Sequence, residues 1–273
     1  MSRPVPSRWT VGLVQYAPAF GRKAENLAAV EALLRDVRAD LVVLPELFAT
    51  GYLFRDAAEA LELAEPVPDG LTCRTLQDWS RRWDMAIVAG IAERAPDGIY
   101  NSAVLVDART DTLEIYRKIH LFNEEKVWFR PGNLGFRVFS VRGVQVGVMV
   151  CFDWIFPEAC RTLALKGAQV VAHPANLVLP YCQRAMPIRS LENRVFCVTA
   201  NRTGADVRED GRRLAFTGQS IVTAPDASVL LALGPDEVRA AVVEVDPRMA
   251  LDKQVTTRNH VLRDRRPEYY RMS

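Results

Sequence analysis

The sequence of 273 residues lacks the groupings of histidine and cysteine that bind metals or form disulfide frameworks. Its three histidines are far apart, and its five cysteines include no pair with CxxC spacing. An odd number of scattered cysteines argues against a disulfide-bonded secreted domain and against a zinc site. We therefore expect no metal, no other cofactor and a reducing, cytoplasmic location.

Long apolar runs, leader-like segments and a charge excess are also missing. No segment approaches eighteen consecutive apolar residues, and the N-terminal MSRPVPSRW lacks the apolar core of a signal peptide. Lys and Arg number 35 against 33 Asp and Glu, so the net charge of +2 offers no electrostatic footprint for nucleic acid. We expect the partner to be a small molecule, and neither a nucleic acid nor a membrane.

Linkers, low-complexity runs and internal repeats are absent as well, which predicts one domain spanning residues 1–273. One-faced helices are predicted from Lys23 to Arg38 and from Leu71 to Trp83, and a strand buried on both sides from Asp40 to Leu44. The whole chain predicts about a dozen strands, more than the roughly ten that one open sheet holds comfortably. We therefore predict an α/β fold with two packed sheets inside and helices outside, in four layers.

The stretch from Val144 to Asn176 holds the first candidate for chemistry. An apolar run ends at Cys151, and a helix is predicted from Pro157 to Gly167, followed by another strand. A thiol at the end of a buried strand, beside a helix N-terminus that favours the thiolate, is placed to be a nucleophile. Unpaired cysteine is also among the most buried residue types, so this stretch alone leaves catalytic and core interpretations balanced.

Two charged residues are associated with other predicted strands. Glu46 follows the buried strand that stops at Pro45, and Lys118 is predicted on the second strand of a hairpin, from Leu113 to Leu121. Ligands of α/β folds tend to bind at the carboxyl ends of strands, which favours a functional carboxylate at 46. Spacing alone favours a snorkelling surface residue for the lysine.

A thiol, a carboxylate and an amine together form a complete set of groups for acyl transfer. The thiolate of Cys151 attacks an electrophilic carbon, Glu46 moves protons and activates water, and the Lys118 ammonium stabilises the developing negative charge. The backbone N–H of Phe152 is a candidate second donor. His120 is the alternative base, since a Cys–His hydrolase would need it in that role.

Three separated motifs, in the right order, make the sequence similar to the nitrilase superfamily, the carbon–nitrogen hydrolases. They are LVVLPELFATGY around Glu46, YRKIHLF around Lys118 and GVMVCFDWIFPEACRTLALKGAQVVAHPAN around Cys151. The stretches EEKVWFRPG, RSLENRVFCVTANRTG and FTGQSIVTAPDASVL also fit, so the resemblance extends over most of the chain.

The resemblance implies an α-β-β-α sandwich with a Glu-Lys-Cys triad. It assigns Glu46 as general base, Lys118 as charge stabiliser and Cys151 as nucleophile. It also implies a second glutamate in the loop after the lysine strand, for which Glu125 fits best and Glu124 is the fallback.

The resemblance further implies a two-fold homodimer, or a higher homo-oligomer built from such dimers. We expect the Arg-rich C-terminal tail, residues 254–273, to pack at the interface of this dimer. The four cysteines other than Cys151 are expected to be structural, and Glu192 to support the site from behind.

The substrate class that follows is a small aliphatic amide or nitrile, converted to a carboxylic acid and ammonia through a covalent thioester. N-carbamoyl amines or amino acids are the alternative substrates. Carbamoyl-amino-acid hydrolases often place an arginine just after the cysteine to hold the substrate carboxylate, and this chain has FDWIF there. Arg184, Arg189 or Arg202 would have to take the place of that arginine. A catalytically silent binding or scaffold protein is the alternative from another class, and the intact triad argues against it. The candidate pocket residues, an apolar set closed by two amides, are Tyr52, Phe54, Trp154, Asn176 and Asn201.

Overall fold

The computed structural model describes residues 4–270. Its α-helices are α1 (Lys23–Leu34), α2 (Ala57–Leu63), α3 (Leu71–Trp83), α4 (Glu125–Trp128), α5 (Pro157–Leu165) and α6 (Cys182–Asn193). Its strands are β1 (Trp9–Gln15), β2 (Leu41–Val43), β3 (Ala86–Ala95), β4 (Gly98–Asp107), β5 (Thr112–Arg117), β6 (Val138–Val141), β7 (Val144–Val148), β8 (Val170–Ala175), β9 (Phe196–Asn201), β10 (Ala205–Val207), β11 (Arg213–Ala215), β12 (Ile221–Thr223), β13 (Val229–Ala232), β14 (Arg239–Val245), β15 (Gln254–Thr256) and β16 (Asn259–His260). Short 3-10 helices lie at Cys151–Ile155, Pro247–Ala250 and Pro267–Tyr269.

Two sheets of six strands each form the centre of the molecule. The first has the order β14-β1-β2-β3-β4-β5, and the second has the order β13-β12-β9-β8-β7-β6. In each sheet three neighbouring strands are parallel, β1-β2-β3 and β7-β8-β9. Parallel neighbours need crossover connections, and α1 and α3 supply them in the first sheet while α5 and α6 supply them in the second.

Alternation along the strands builds four layers. In β1, Val11 and Leu13 pack into the core shared with the second sheet, whereas Val14 faces the buried residues of α1 and α3. Leu163 of α5 and Met186 of α6 belong to the core around the second sheet. The predicted four-layer α-β-β-α arrangement is confirmed.

Some predicted helix boundaries are wrong for local reasons. Helix α1 ends at Leu34 instead of Arg38, because the Leu34 carbonyl accepts from Val37 N–H at 3.0 Å and the Arg38 guanidinium takes the Val37 carbonyl at 2.7 Å. Helix α6 begins at Cys182 and continues through Pro187 to Asn193. A proline there removes an intrahelical hydrogen bond but does not stop this helix.

Three boundaries near the predicted site also differ. Strand β7 ends at Val148, so Cys151 begins a 3-10 helix instead of ending a strand. Strand β5 ends at Arg117, so Lys118 follows the strand instead of lying within it. The predicted loop after the lysine strand contains the one-turn helix α4.

The tail and the helices complete the description of residues 4–270. None of the helices in this range has the length and apolar composition needed to cross a bilayer. The described part of the tail forms the β15–β16 hairpin and a 3-10 turn, where Tyr269 and Tyr270 are exposed. Residues 1–3 of the predicted domain and 271–273 of the predicted tail lie outside the described residues.

Candidate active site

Four side chains that the sequence singled out meet in the structure. Glu46 follows β2, Lys118 follows β5, Glu125 begins α4 and Cys151 begins the 3-10 helix after β7. Lys118 Nζ lies 2.6 Å from Glu46 Oε1 and 2.7 Å from Glu125 Oε1, and all four side chains are buried. The neighbouring Glu124 is exposed, so of the two glutamates it is Glu125 that joins the cluster.

Burial and mutual charge set the protonation states of this cluster. Burial alone lowers the pKa of Lys118, but the carboxylates of Glu125 and Glu46 outweigh burial and raise that pKa above its ordinary value. Burial raises the pKa of Glu125 to about 7, with Lys118 opposing the shift and Glu46 adding to it. Lys118 is therefore an ammonium ion at neutral pH.

The thiol of Cys151 is protonated at neutral pH. Burial raises the pKa of Cys151 well above its ordinary value, and Glu46 raises it further, against Lys118 and the Asn176 backbone N–H. The prediction that a helix N-terminus favours the thiolate is wrong, because α5 begins only at Pro157 and burial dominates. Attack by Cys151 therefore requires a base that removes the proton.

Two glycines let the backbone of the charged residues pack closely against neighbouring segments. A Cβ atom on Gly90 of β3 would lie 2.3 Å from Glu46 Cα. A Cβ atom on Gly132 would lie 2.0 Å from the Arg117 carbonyl oxygen, and the Gly132 N–H donates to the Lys118 carbonyl at 2.8 Å. A side chain at either glycine would displace a residue of the site.

A buried histidine holds the backbone of the nucleophile. Cys151 has φ of 43°, in the left-handed region that is unfavourable for residues with a side chain. His173 Nε2 lies 3.0 Å from the Cys151 carbonyl oxygen, and His173 Nδ1 lies 3.0 Å from Thr199 Oγ1. Because burial lowers the pKa of His173 to about 4, the ring is neutral; Nε2–H donates to the carbonyl and Nδ1 accepts from the hydroxyl.

Asp153 fixes the turn that contains the nucleophile. Its Oδ2 accepts from the Val150 N–H at 2.9 Å and from the Tyr116 hydroxyl at 2.7 Å. Its Oδ1 lies 2.8 Å from His120 Nδ1, and the His120 ring stacks on Phe156 with centroids 3.8 Å apart. The alternative base of the sequence analysis is thus engaged by Asp153 and Phe156.

A cavity of about 130 Å³ opens beside the nucleophile. It is lined by Phe122, Cys151, Phe152, Trp154, Ile155, Asn176, Leu177, Val178, Leu179 and Tyr181. Trp154 and Asn176 belong to the predicted pocket, and the buried Asn176 amide has no hydrogen-bond partner for Nδ2 or Oδ1 within residues 4–270. The cavity is therefore apolar with one free amide at its wall.

The other three predicted pocket residues lie outside this cavity. Tyr52 donates its hydroxyl to Glu125 Oε1 at 2.6 Å and lines a separate outer cavity of about 400 Å³. Phe54 packs edge-on within a cluster of aromatic rings. The side-chain amide of Asn201 is hydrogen-bonded to the backbone, with Oδ1 accepting from the Leu177 N–H at 2.8 Å. Phe54 and Asn201 therefore do not line the cavity beside Cys151, because their side chains are occupied by packing and hydrogen bonds.

Comparison with known proteins agrees with this geometry. Residues 10–253 match the Carbon-nitrogen hydrolase family. The chain belongs to the carbon–nitrogen hydrolase family. The predicted resemblance to that family is confirmed.

Relatives of this carbon–nitrogen hydrolase cover nearly its whole length. It is 48% identical over 263 residues to a nitrilase of Pyrococcus abyssi, which covers 95% of this chain and 98% of that protein. It is 31% identical over 288 residues to an N-carbamoylputrescine amidase of Solanum lycopersicum, with 96% and 94% covered. A solved mutant of the amidase from Nesterenkonia sp. AN1, with the acetamide moiety of fluoroacetamide added covalently at its active site cysteine, superposes with a TM-score of 0.76 at 27% identity, with 98% of each chain covered.

The arginines considered for a substrate carboxylate do not line the cavity of this hydrolase. Arg189 Nε donates to the Trp154 carbonyl at 3.0 Å, and its Nη1 lies 3.0 Å from Glu192. Arg202 is buried 2.9 Å from Asp206. Glu192 thus braces the arginine that holds the cavity wall, and the described residues place no cation in the cavity.

Two residues around the site escaped the sequence analysis. Asn101 of β4 donates from Nδ2 to Glu46 Oε1 at 2.7 Å, and His173 of β8 holds the carbonyl of Cys151. Both are polar residues inside largely apolar strand sequences, YNSAVLV and VVAHPA. A buried polar residue is the informative exception in a core strand, and that signal was available to find them.

Proposed function

We propose that this protein hydrolyses the carbon–nitrogen bonds of small aliphatic amides or nitriles through a thioester on Cys151. The observation that carries the proposal is the buried Lys118 ammonium, held between Glu46 and Glu125 close to a protonated thiol. The nitrilase relative and the amidase with a substrate fragment on its cysteine support the same chemistry.

The amide reaction assigns one task to each group. Glu46 takes the proton of Cys151 as the thiolate attacks the carbonyl carbon, and Lys118 with the Phe152 N–H stabilises the oxyanion. Protonated Glu46 gives its proton to the nitrogen, the carbon–nitrogen bond breaks, and ammonia leaves a thioester. Glu46 then activates one water molecule, which releases the carboxylic acid and restores the thiol. A nitrile passes first through a thioimidate and consumes a second water molecule before the same thioester forms.

The cavity supports a small, uncharged acyl group. An apolar cavity of about 150 Å³ holds benzene, so the 130 Å³ beside Cys151 has room for an acyl group of roughly five non-hydrogen atoms. The free amide of Asn176 fits a single polar group on the substrate, because leaving a buried donor and acceptor unpaired costs about 1–3 kcal/mol.

Hydrolysis of N-carbamoyl amines is the second candidate, supported by the N-carbamoylputrescine amidase relative. A carbamoyl amino acid carries a carboxylate, and the described lining of the cavity supplies no cation to pair with it. This observation favours uncharged amides and nitriles over carbamoyl amino acids.

Ammonia release from a panel of small amides, nitriles and carbamoyl amines tests the proposal, with intact-mass measurement of protein quenched during turnover. We expect ammonia from amides or nitriles with short acyl groups and an acyl adduct that is absent in Cys151→Ala. Carbon dioxide released together with ammonia would favour the carbamoyl alternative. No adduct and no ammonia from any compound would favour the scaffold alternative.

We further propose a homodimer with the C-terminal tail, residues 254–273, at its interface. Tyr269 is 73% exposed, and Ile188 and Leu191 of α6 are exposed apolar residues of the kind that mark interaction surfaces. Deleting the residues after Asn259 should give a monomer in light scattering, and an unchanged dimer would contradict this assignment.

We also propose a cytoplasmic location, supported by five cysteines that are all free. Cell fractionation should recover the protein with cytoplasmic markers, and recovery elsewhere would contradict the location.

A further inference from the structure

We propose that Asn101 is a positioning residue that selects which oxygen of Glu46 faces the thiol and fixes Lys118 beside it. This inference rests on the proposed function, because it assigns Glu46 as the base. Asn101 lies on β4, opposite Ala92 of β3, and is fully buried.

Asn101 contacts three of the four residues of the site. Its Nδ2 lies 2.7 Å from Glu46 Oε1 and 3.5 Å from Glu125 Oε2. Its backbone carbonyl accepts the Lys118 N–H at 2.8 Å. One residue therefore ties together the base, the second glutamate and the chain that carries the ammonium.

The contacts leave the two oxygens of Glu46 in different states. Oε1 accepts from both Asn101 Nδ2 and Lys118 Nζ, whereas Oε2 is buried with no hydrogen-bond partner among residues 4–270. Because Asn101 and Lys118 occupy Oε1, Oε2 is the oxygen left to exchange protons with Cys151 and the substrate. Without Asn101, the carboxylate is free to rotate and offer both oxygens to Lys118.

The neutral amide also suits the charge of the cluster. When both glutamates are ionised, they and the one ammonium leave an excess of one negative charge in a buried site, and a donor to both carboxylates offsets part of it. An aspartate has nearly the same shape as asparagine, but it removes this donor and adds repulsion. Asn101→Asp therefore separates the electrostatic role from the space that the side chain fills.

A matched control lies at the next position of the same strand. Ser102 is also fully buried and donates to a buried glutamate, Glu93, at 2.7 Å. Glu93 pairs with Arg117 and not with the Cys151 cluster. Ser102→Ala thus removes a comparable hydrogen bond from β4 without touching the proposed base.

The test compares Asn101→Leu, Asn101→Asp and Ser102→Ala with the wild-type protein, using the best amide or nitrile substrate. We expect Asn101→Leu to lower kcat by about ten- to a hundredfold with KM changed less than about threefold, as for the loss of a hydrogen bond to a charged group. The acid limb of kcat/KM should move to higher pH in Asn101→Leu, and by about one unit or more in Asn101→Asp, because the carboxylates hold their proton more tightly. Ser102→Ala should change the thermal midpoint but neither kcat nor the pH profile.

A second measurement works without a substrate. The rate at which iodoacetamide alkylates Cys151, followed by mass spectrometry against pH with Cys151→Ala as the blank, also depends on proton removal. We expect this profile to shift in both Asn101 variants and to remain unchanged in Ser102→Ala.

The two measurements distinguish a failure of the role proposed for Asn101 from a failure of the proposed hydrolase function. Wild-type kcat and unshifted profiles in both Asn101 variants would overturn the role of Asn101 while leaving the hydrolase intact. Absence of turnover in the wild type would overturn the proposed function, and the alkylation profile would still decide the role of Asn101. If Asn101→Leu fails to fold, the near-isosteric Asn101→Asp carries the test alone.

Discussion

Replacing Glu125 by Gln should remove a step near pH 7 from the pH dependence of kcat/KM. Burial raises the pKa of Glu125 to about 7, against Lys118 and together with repulsion from Glu46. When Glu125 loses its proton, its carboxylate pairs with the Lys118 ammonium and fixes that group beside the developing oxyanion. In the wild type, kcat/KM should therefore rise with pH through a limb centred near pH 7, and Glu125→Gln should lack that limb.

The size of the effect follows from the burial and the contacts of Glu125. Its pKa lies at about 7 instead of 4.5, a preference for the neutral acid of about 3 kcal/mol at 1.36 kcal/mol per unit. The variant also loses the charged bond to Lys118, 2.7 Å long. A hydrogen bond to a charged group contributes about 1.5–3 kcal/mol, so the plateau of kcat/KM should fall by about ten- to a hundredfold.

Stability should change in the opposite direction with pH. Between about pH 4.5 and pH 7 the folded protein retains a proton on Glu125 that the unfolded chain has lost. The free energy of unfolding should therefore fall as pH rises through this window, by up to about 3 kcal/mol from this group. Urea unfolding at pH 4.5 and pH 8 should show this decrease, and Glu125→Gln should reduce it.

Two variants serve as controls for assigning the limb near pH 7 to Glu125. Glu124→Gln makes the same change at the exposed neighbouring position and should leave rate and profile unchanged. Tyr52→Phe removes a donor that stabilises the Glu125 anion, so the limb should move to higher pH. A limb that stays near pH 7 in Glu125→Gln, or that disappears in Glu124→Gln, would refute the reasoning.

Three further substitutions probe the base, the backbone of the nucleophile and the packing beneath the base. Glu46→Gln should lower kcat by about a thousandfold or more in steady-state assays, since residues that act as a unit fail together; a tenfold loss would return His120 to contention. His173→Phe removes the donor to the Cys151 carbonyl and should lower kcat about tenfold with little change in KM; an unchanged kcat would mean that other contacts hold this backbone. Gly90→Ala should reduce the free energy of unfolding by about 1–3 kcal/mol in urea and lower activity with it, because the new Cβ lies 2.3 Å from Glu46 Cα; wild-type stability would contradict the close approach.

The sequence predicted the layers because each strand and helix carries its own periodic pattern. Helix α3 begins and ends at the predicted residues, Leu71 and Trp83, where Gly70 precedes it and Asp84 adopts a left-handed conformation after it. Glu46 and Cys151 could be proposed from the sequence, since each follows a recognisable apolar strand. Local pattern is sufficient for such elements because neighbouring residues determine them.

Lys118 shows where local reasoning fails. Its spacing favoured a surface residue, yet it is fully buried between Glu46 and Glu125, which are 72 and 7 residues away in the sequence. Burial of an ammonium is tolerable only with such partners, and no local pattern reveals that they will meet. The motif resemblance, and not the periodicity, identified this residue.

The protonation state of Cys151 depended on the same tertiary information. The sequence shows a helix soon after the thiol, but not that the sulfur is buried or that Glu46 lies nearby. The placement of Asn201 depends on tertiary contacts as well. It follows a strand, as a binding residue would, but the fold supplies its amide with a backbone partner at Leu177.

The left-handed backbone at position 151 has a consequence for engineering. Glycine is the residue that adopts φ near 43° without steric cost, so Cys151→Gly should relieve about 1 kcal/mol of backbone strain. A library screened only for heat resistance places no value on turnover, so it would tolerate variants that have lost the nucleophile. Thermostabilisation of this protein consequently requires a screen that scores turnover alongside melting, or a library in which codon 151 is held constant.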